Sequence, residues 1–195
     1  MTKLLGIIGS VSDPSKTRAA VEITLKAARE EYNIETELIS LADYKIDVAD
    51  SRKTAEYIGD TAEVLKKIIE SDAFIIGTPA YRGSYSGVLK NLFDMIPRGK
   101  WQSDKAPLEN RPIGFIATGA TDHHYLLINQ EFGPIASFFG AYLVGGVYIN
   151  SSQFKNYEII DQEIVKRLKV LGKAVVELGE FLDKSRFLSL LGPQF

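Results

Sequence analysis

The chain has no cysteine among its 195 residues, which excludes disulfide staples, thiolate metal ligands and a cysteine nucleophile. It also lacks an excess of either charge: 23 basic against 25 acidic side chains leave a formal net charge of -2. So small a charge gives no broad field for nucleic acid or anionic lipid, and an anionic ligand has to be held by local geometry. No apolar run approaches the roughly 20 residues of a membrane span. The opening "MTKLLGIIGS" reaches Gly9-Ser10 too early for a secretory leader. Together these absences predict a cytoplasmic protein with no nucleic-acid or membrane partner.

What is present is an ordinary globular balance, 45% hydrophobic and 25% charged, at a length suited to one domain. No repeat or low-complexity linker interrupts it, so residues 1–184 are expected to form a single domain. The closing "SRFLSLLGPQF", residues 185–195, is apolar for a terminus and is expected in a subunit interface, where its side chains leave water.

Hydrophobic periodicity divides the chain into alternating elements. Leu4 to Ile8 is an unbroken apolar run, as in a strand buried on both faces. From about Ser15, Val21, Leu25, Ala28 and Tyr32 recur at helical spacing. Ile34 to Ser40 alternates like a strand near a sheet edge, and the polar "LADYKIDVADSRKTAEY" follows without a period. Val64, Leu65, Ile68 and Ile69 mark a second helix, Ala73 to Pro79 a strand, Val88, Leu89, Leu92 and Ile96 a third helix, and Pro112 to Thr118 another strand. A long helix is expected within Asp122 to Tyr142, bent or split at Gly133-Pro134. Ala141 to Ile149 reads as a fifth strand and Glu158 to Leu182 as a closing helix. This alternation predicts a doubly wound, five-stranded parallel α/β sheet with helices on both faces. Ligands of such sheets lie beyond the carboxyl ends of the strands, where the strand order reverses.

Three loops follow those strand ends. In "GSVSDPSKTR", Gly9 to Arg18, a helix start offers unpaired amides and the positive end of the helix dipole to a phosphate. Ser10, Ser15 and Thr17 add hydroxyl donors, and Lys16 and Arg18 add charge. The same residues equally suit plain helix capping by Ser15 or Asp13, with Pro14 presetting the first turn. The loop is neither a Walker A sequence nor a G-x-G-x-x-G fingerprint. In the second loop Pro79, Ala80, Tyr81, Arg82, Gly83 and Ser84 form a turn whose amides can meet the edge of a flat heterocycle, with Gly83 allowing close approach and Tyr81 an aromatic wall. Lys90, Asn91 and Asp94 share a helix face and are expected to brace this loop or a neighbouring subunit. In the third, "ATGATDHHY", Thr118, Gly119 and Ala120 are small enough to admit a ring system. His123 and His124 are the two histidines of the chain; adjacent helical positions face apart, which argues against a shared metal. One loop for a phosphate and two for a planar ring make the geometry of a flavin mononucleotide site.

"GSVSDPSKTR", "TPAYRGSYSGVLKNLFD" and "ATGATDHHYLL", in this order, resemble the NAD(P)H-dependent FMN reductases of the flavodoxin-like superfamily, especially the branch associated with alkanesulfonate utilisation. The resemblance runs from the first strand to about Ser152 and implies strand order 2-1-3-4-5 and a homodimer or homotetramer. It places the FMN phosphate on Ser10, Ser15, Lys16 and Thr17. It borders the isoalloxazine with Pro79, Ala80, Tyr81, Arg82, Gly83 and Ser84, and completes the pocket with Thr118, Gly119 and Ala120. Ser12 stands where the family pattern G-S-x-R has Arg, so no role of that Arg carries over. The implied chemistry is hydride transfer from NADPH or NADH to FMN, with reduced flavin passed to a flavin-dependent monooxygenase. Since the cofactors carry this chemistry, no catalytic side chain or metal is required. A quinone, azo-dye or metal-oxyanion reductase with bound FMN, and a flavodoxin-like electron carrier, are the other readings the sequence leaves open.

One long connection, "RGKWQSDKAPLENRP", contains the single Trp. Connections of this length are often lids or interface pieces, and Trp101 is expected to gate the pocket, pack against a partner subunit or pin the loop.

Overall fold

The computed structural model describes residues 3–98, 102–126 and 128–185; Trp101 and all of the tail beyond Ser185 lie outside them. Five parallel strands form the centre: β1 (Lys3–Ile8), β2 (Glu35–Ser40), β3 (Ala73–Pro79), β4 (Pro112–Gly119) and β5 (Tyr142–Asn150). Their order across the sheet is β2-β1-β3-β4-β5, all pairs parallel. The connecting helices are α1 (Lys16–Tyr32), α2 (Gly59–Ile69), α3 (Gly87–Met95), α4 (Gly133–Phe139) and α5 (Gln162–Lys184). Among the described residues no helix is long and apolar enough to cross a membrane.

The period-two alternation of the strands sorts the core into two layers. Leu5 and Ile7 of β1, Phe74 and Ile76 of β3, and Phe115 and Ala117 of β4 face α2, α3 and α4, meeting Leu65, Leu92 and Phe139. Leu4, Ile8, Ile75 and Ile116 face the other way onto α1 and α5, meeting Val21, Leu25, Leu168 and Val175. Burial on both faces is why these strands read as unbroken apolar runs. Gly77 lies where α1 crosses β3, and a Cβ there would stand 2.6 Å from Val21 and 2.8 Å from Thr17. At Gly172 a Cβ would stand 2.3 Å from the backbone oxygen of Thr24, so α5 approaches α1 closely because it has no side chain at that point.

Two expected elements differ. The segment from Asp122 to Tyr142 is no long helix: a 3₁₀ turn (Asp122–Leu126), a π turn (Ile128–Phe132) and then the short α4 occupy it. Pro134 sits in the first turn of α4, where its missing amide costs nothing. The closing helix starts at Gln162 rather than Glu158, because the Asp161 carboxylate accepts from the amides of Glu163 and Ile164 and caps it there. Glu158 and Ile159 instead form β7, which pairs antiparallel with β6 (Phe154–Lys155) in a small hairpin.

Candidate nucleotide-phosphate and ring-binding cleft

The connections leaving β1 and β3 diverge, β1 running to β2 on one side and β3 to β4 on the other. That divergence leaves a crevice beyond the strands' carboxyl ends. A cleft of about 320 Å³ opens there. Its first wall is Ser10, Ser12, Pro14, Ser15, Lys16 and Thr17; its second is Pro79, Ala80 and Tyr81; its third is Thr118, Gly119 and Ala120. Ser151 and Tyr157 close the remaining side. A hollow of about 490 Å³ lies at the opposite, amino end of the sheet between Ile69, Arg111 and Leu182. It has no helix start and no converging hydroxyls, and its wall ends at Ser185, where the described chain stops.

The first wall is built by the start of α1. Ser15 caps the helix, its Oγ accepting from the Arg18 amide at 3.3 Å. The capping and phosphate readings of this loop are compatible, since the cap takes the Arg18 amide and leaves those of Lys16 and Thr17 at the open end. Ser10 is buried and its Oγ accepts from the Ser12 amide at 3.2 Å, leaving the hydroxyl proton for another acceptor. Lys16 reaches the carbonyl of Ser151 at 3.5 Å and lies 5.2 Å above the Phe154 ring, so it bridges the first loop and the segment after β5. Arg18 turns away: its guanidinium pairs with Asp43 at 3.0 Å.

The walls are tied together below the cleft. The hydroxyls of Thr17 and Thr118 lie 2.8 Å apart, with the two residues only 2% and 6% exposed. The Ala80 amide donates to the Thr118 carbonyl at 2.7 Å, extending the β3–β4 pairing past the strand end. Ser86, which caps α3, donates to the Gly9 carbonyl and accepts from the Leu89 amide at 3.3 Å. These bonds fix the ends of β1, β3 and β4 relative to one another.

Arg82, Gly83 and Ser84 do not line the cleft. Tyr81 and Ser84 exchange both backbone hydrogen bonds, at 2.8 and 3.1 Å, and Arg82 and Gly83 turn between them with φ of 54° and 86°. Gly83 therefore serves a tight turn of the kind that requires positive φ, rather than close ligand approach. The amides of Ala80, Tyr81 and Ser84 are consumed inside the protein instead of facing a heterocycle. The Ser84 hydroxyl donates to Glu131 at 3.2 Å, fastening the turn to the segment after β4. A Cβ on Gly119 would meet His124 Nδ1 and the Tyr148 hydroxyl, each at 2.8 Å, so its small size serves packing behind the cleft. Burial, reinforced by the Asp122 charge, pushes the Tyr148 hydroxyl above the usual tyrosine range. It stays protonated and donates to the Thr121 carbonyl at 2.6 Å. Asn91 braces the polar segment after β2, accepting from the Ala49 amide at 2.9 Å and donating to the Asp47 carbonyl at 2.7 Å; Lys90 pairs with Asp94 on the same helix. Among the described residues no cluster of three or more His, Asp or Glu could hold a metal.

Ser151 and Tyr157 were not anticipated. The periodicity after β5 merges with that of α5, and the hairpin between them is only two residues long on each side. The one local signal is Asn156, a residue that tolerates the left-handed turn it occupies at φ 49°.

Strand order 2-1-3-4-5, helices on both faces and a helix start opening into the crevice define a flavodoxin-like α/β protein with a cleft at the reversal of strand order. The sequence model described as NADPH-dependent FMN reductase matches residues 2–156, and the chain belongs to that family, whose members are oxidoreductases using reduced nicotinamide and FMN. It is 35% identical to an NAD(P)H-dependent FAD/FMN reductase of Geobacillus thermodenitrificans, over 90% of this chain and 92% of that one. It is 28% identical to an NADPH FMN reductase of Pseudomonas aeruginosa, over 96% and 97% of the two chains. The fold also matches an apo NADH:FMN oxidoreductase with a TM-score of 0.76 at 21% identity, over 95% of this chain and 92% of that one.

Proposed function

We propose that this chain is an NAD(P)H-dependent FMN reductase and that the cleft beyond β1, β3 and β4 is its flavin site. The observation that carries the reading is the meeting, in one cleft, of the β1–α1 loop and helix start, bearing Ser10, Lys16 and Thr17, with the ends of β3 and β4. The residues suit FMN chemically. The amides of Lys16 and Thr17, the Ser10 and Thr17 hydroxyls and the Lys16 ammonium are donors for a phosphate dianion. Pro79, Ala80 and Ala120 offer small apolar surface for a ring. Either hydroxyl of the buried Thr17–Thr118 pair can donate to the other; with Thr118 as donor, the Thr17 proton is free for the phosphate.

FMN bound here would accept a hydride from NADH or NADPH and hand on the electrons. Tyr81, half exposed at the rim, shields one side of the ring position from water. The reading includes flavin exchange between turnovers, and hence supply of reduced flavin to a monooxygenase in the cytoplasm. Adding NADH or NADPH to purified protein, with and without FMN, tests this. Nucleotide oxidation that requires micromolar free FMN is expected; oxidation by yellow protein as isolated would favour the bound-flavin reading, and none under either condition would end both.

Self-association belongs to the same proposal. An apolar groove of about 440 Å³ lies between α3 and α4, lined by Tyr85, Phe93, Ile135, Phe138 and Phe139 and edged by Lys90 and Asp94. Phe138 is 59% exposed, and a second copy related by two-fold symmetry would cover it with the same groove.

A further inference from the structure

The third wall of the cleft is held from β5 as well as from its own strand. β4 ends at Gly119, and its partner across the sheet is Asn150, the last residue of β5. Past that pair the third loop leaves the sheet. Two side chains of β5 reach across to it, and they lie two positions apart, hence on one face of the strand. The Tyr148 hydroxyl donates to the Thr121 carbonyl, and Asn150 Nδ2 donates to the Asp122 carboxylate at 2.6 Å.

Asn150 holds the other side of the cleft at the same time. Its Oδ1 accepts from the Ser152 amide at 2.9 Å and its own amide donates to Gln153 Oε1 at 2.9 Å, which folds the chain after β5 into a 3₁₀ turn beginning at Ser151. Gln153 continues to Asp161, the cap of α5, at 2.7 Å, and the Ser151 carbonyl accepts from Lys16 of the first wall. One side chain therefore ties the Thr118–Ala120 wall to the Ser151 side. The position needs a donor and an acceptor on one short planar group, which an amide supplies. A carboxylate has acceptors alone and would oppose Asp122, and a hydroxyl has one oxygen for two separated partners.

Building on the flavin-site reading above, we propose that Asn150 is a positioning residue for flavin: by bridging the third loop and the turn after β5 it sets the width of the cleft between Ala120 and Ser151. Asn150 does not itself line the cleft, whereas both of those residues do. Its loss therefore weakens flavin binding through a displaced wall and leaves the turnover of the flavin-saturated enzyme alone.

The test compares wild type, Asn150→Asp, and the exchanged pair Asn150→Asp with Asp122→Asn, by fluorescence titration of FMN and of riboflavin and by steady-state kinetics. The aspartate keeps the shape of the side chain and the acceptor for the Ser152 amide, so the turn after β5 survives while two carboxylates oppose each other. In the exchanged pair the donor stands at position 122 and the carboxylate at position 150, and the hydrogen bond re-forms in reverse. Asn150→Asp is expected to raise the dissociation constants of both flavins about tenfold, as for a lost hydrogen bond to a charged group. The KM for FMN rises in parallel and kcat stays within about twofold of wild type. The exchanged pair should return both dissociation constants to within about threefold of wild type. Riboflavin has no phosphate, so its loss of affinity separates a displaced wall from repulsion between the new charge and the phosphate. Unchanged affinity in Asn150→Asp, a loss confined to FMN, a fall in kcat with KM unaltered, or an exchanged pair as impaired as the single variant would each overturn the positioning role while leaving the flavin site standing. Wild type that binds neither flavin would remove both.

Discussion

The Thr17–Thr118 contact offers the sharpest test, because it joins two walls of the cleft through hydroxyls of which one faces the proposed phosphate. Thr17→Val keeps the shape of the side chain, including the methyl packed over Gly77, but removes the hydroxyl. At a separation of 2.8 Å and nearly complete burial, the loss leaves the Thr118 hydroxyl unpaired, which costs about 1–3 kcal/mol. Replacing both hydroxyls, in Thr17→Val with Thr118→Val, removes the orphan and should restore stability to within about 1 kcal/mol of wild type. Flavin affinity should behave differently. If Thr17 donates to the phosphate, both the single and the double variant lose a charge-assisted hydrogen bond of about 1.5–3 kcal/mol, or roughly 10- to 150-fold in the dissociation constant. Urea unfolding of the apo-protein and quenching of FMN fluorescence measure the two quantities separately. A double variant as unstable as the sum of the singles would refute the orphaned-hydroxyl argument; FMN affinity unchanged in Thr17→Val would refute the phosphate role.

Other perturbations probe different parts. Gly172→Ala drives a Cβ toward the rigid carbonyl of Thr24, and the separation of α1 from α5 should cost about 1–3 kcal/mol, seen as a fall in melting temperature of about 2–12 °C; an unchanged melting temperature would contradict the close helix approach. The Gln153 amide, followed by the Ile164 and Glu163 backbone amides, holds Asp161 below the usual carboxylate range. Its contribution is therefore complete above a pH of about 4 and is lost as the pH falls through the depressed value. The wild-type advantage over Asp161→Ala in urea midpoint should accordingly be present at neutral pH and close on acidification, and a gap that widens would reverse the sign argued here. Phe138→Asp places a charge in the groove between α3 and α4 and should shift the protein toward monomer in light scattering, whereas an unaltered mass would place any interface elsewhere.

How much of this was legible beforehand depended on the distance over which each signal acts. Leu4 to Ile8 and Ala73 to Phe74 and onward announce buried strands because parallel strands covered on both faces leave no polar alternation, and the α/β rhythm followed from them. Ser10, Ser15, Lys16 and Thr17 were legible because a helix start concentrates donors within a few consecutive residues. What stayed hidden required partners far away in the chain. The amides of Tyr81 and Ser84 bond each other, and Gly119 yields space to Tyr148, neither of which a local reading reveals. The π turn before α4 and the β6–β7 hairpin were absorbed into neighbouring helical patterns, since a few residues of irregular backbone do not interrupt a period of 3.6. Asp161 was visible as a capping residue only once Glu158 and Ile159 had been assigned to another element.

The opposite departures of the chain from β1 and β3 leave a seam that helix packing does not reach. Because that gap arises from topology and not from removing side chains out of either core layer, an empty pocket should carry little penalty. The apo-protein can then persist intact while waiting for its cargo, and substitutions along the rim can retune what is carried without eroding the scaffold beneath.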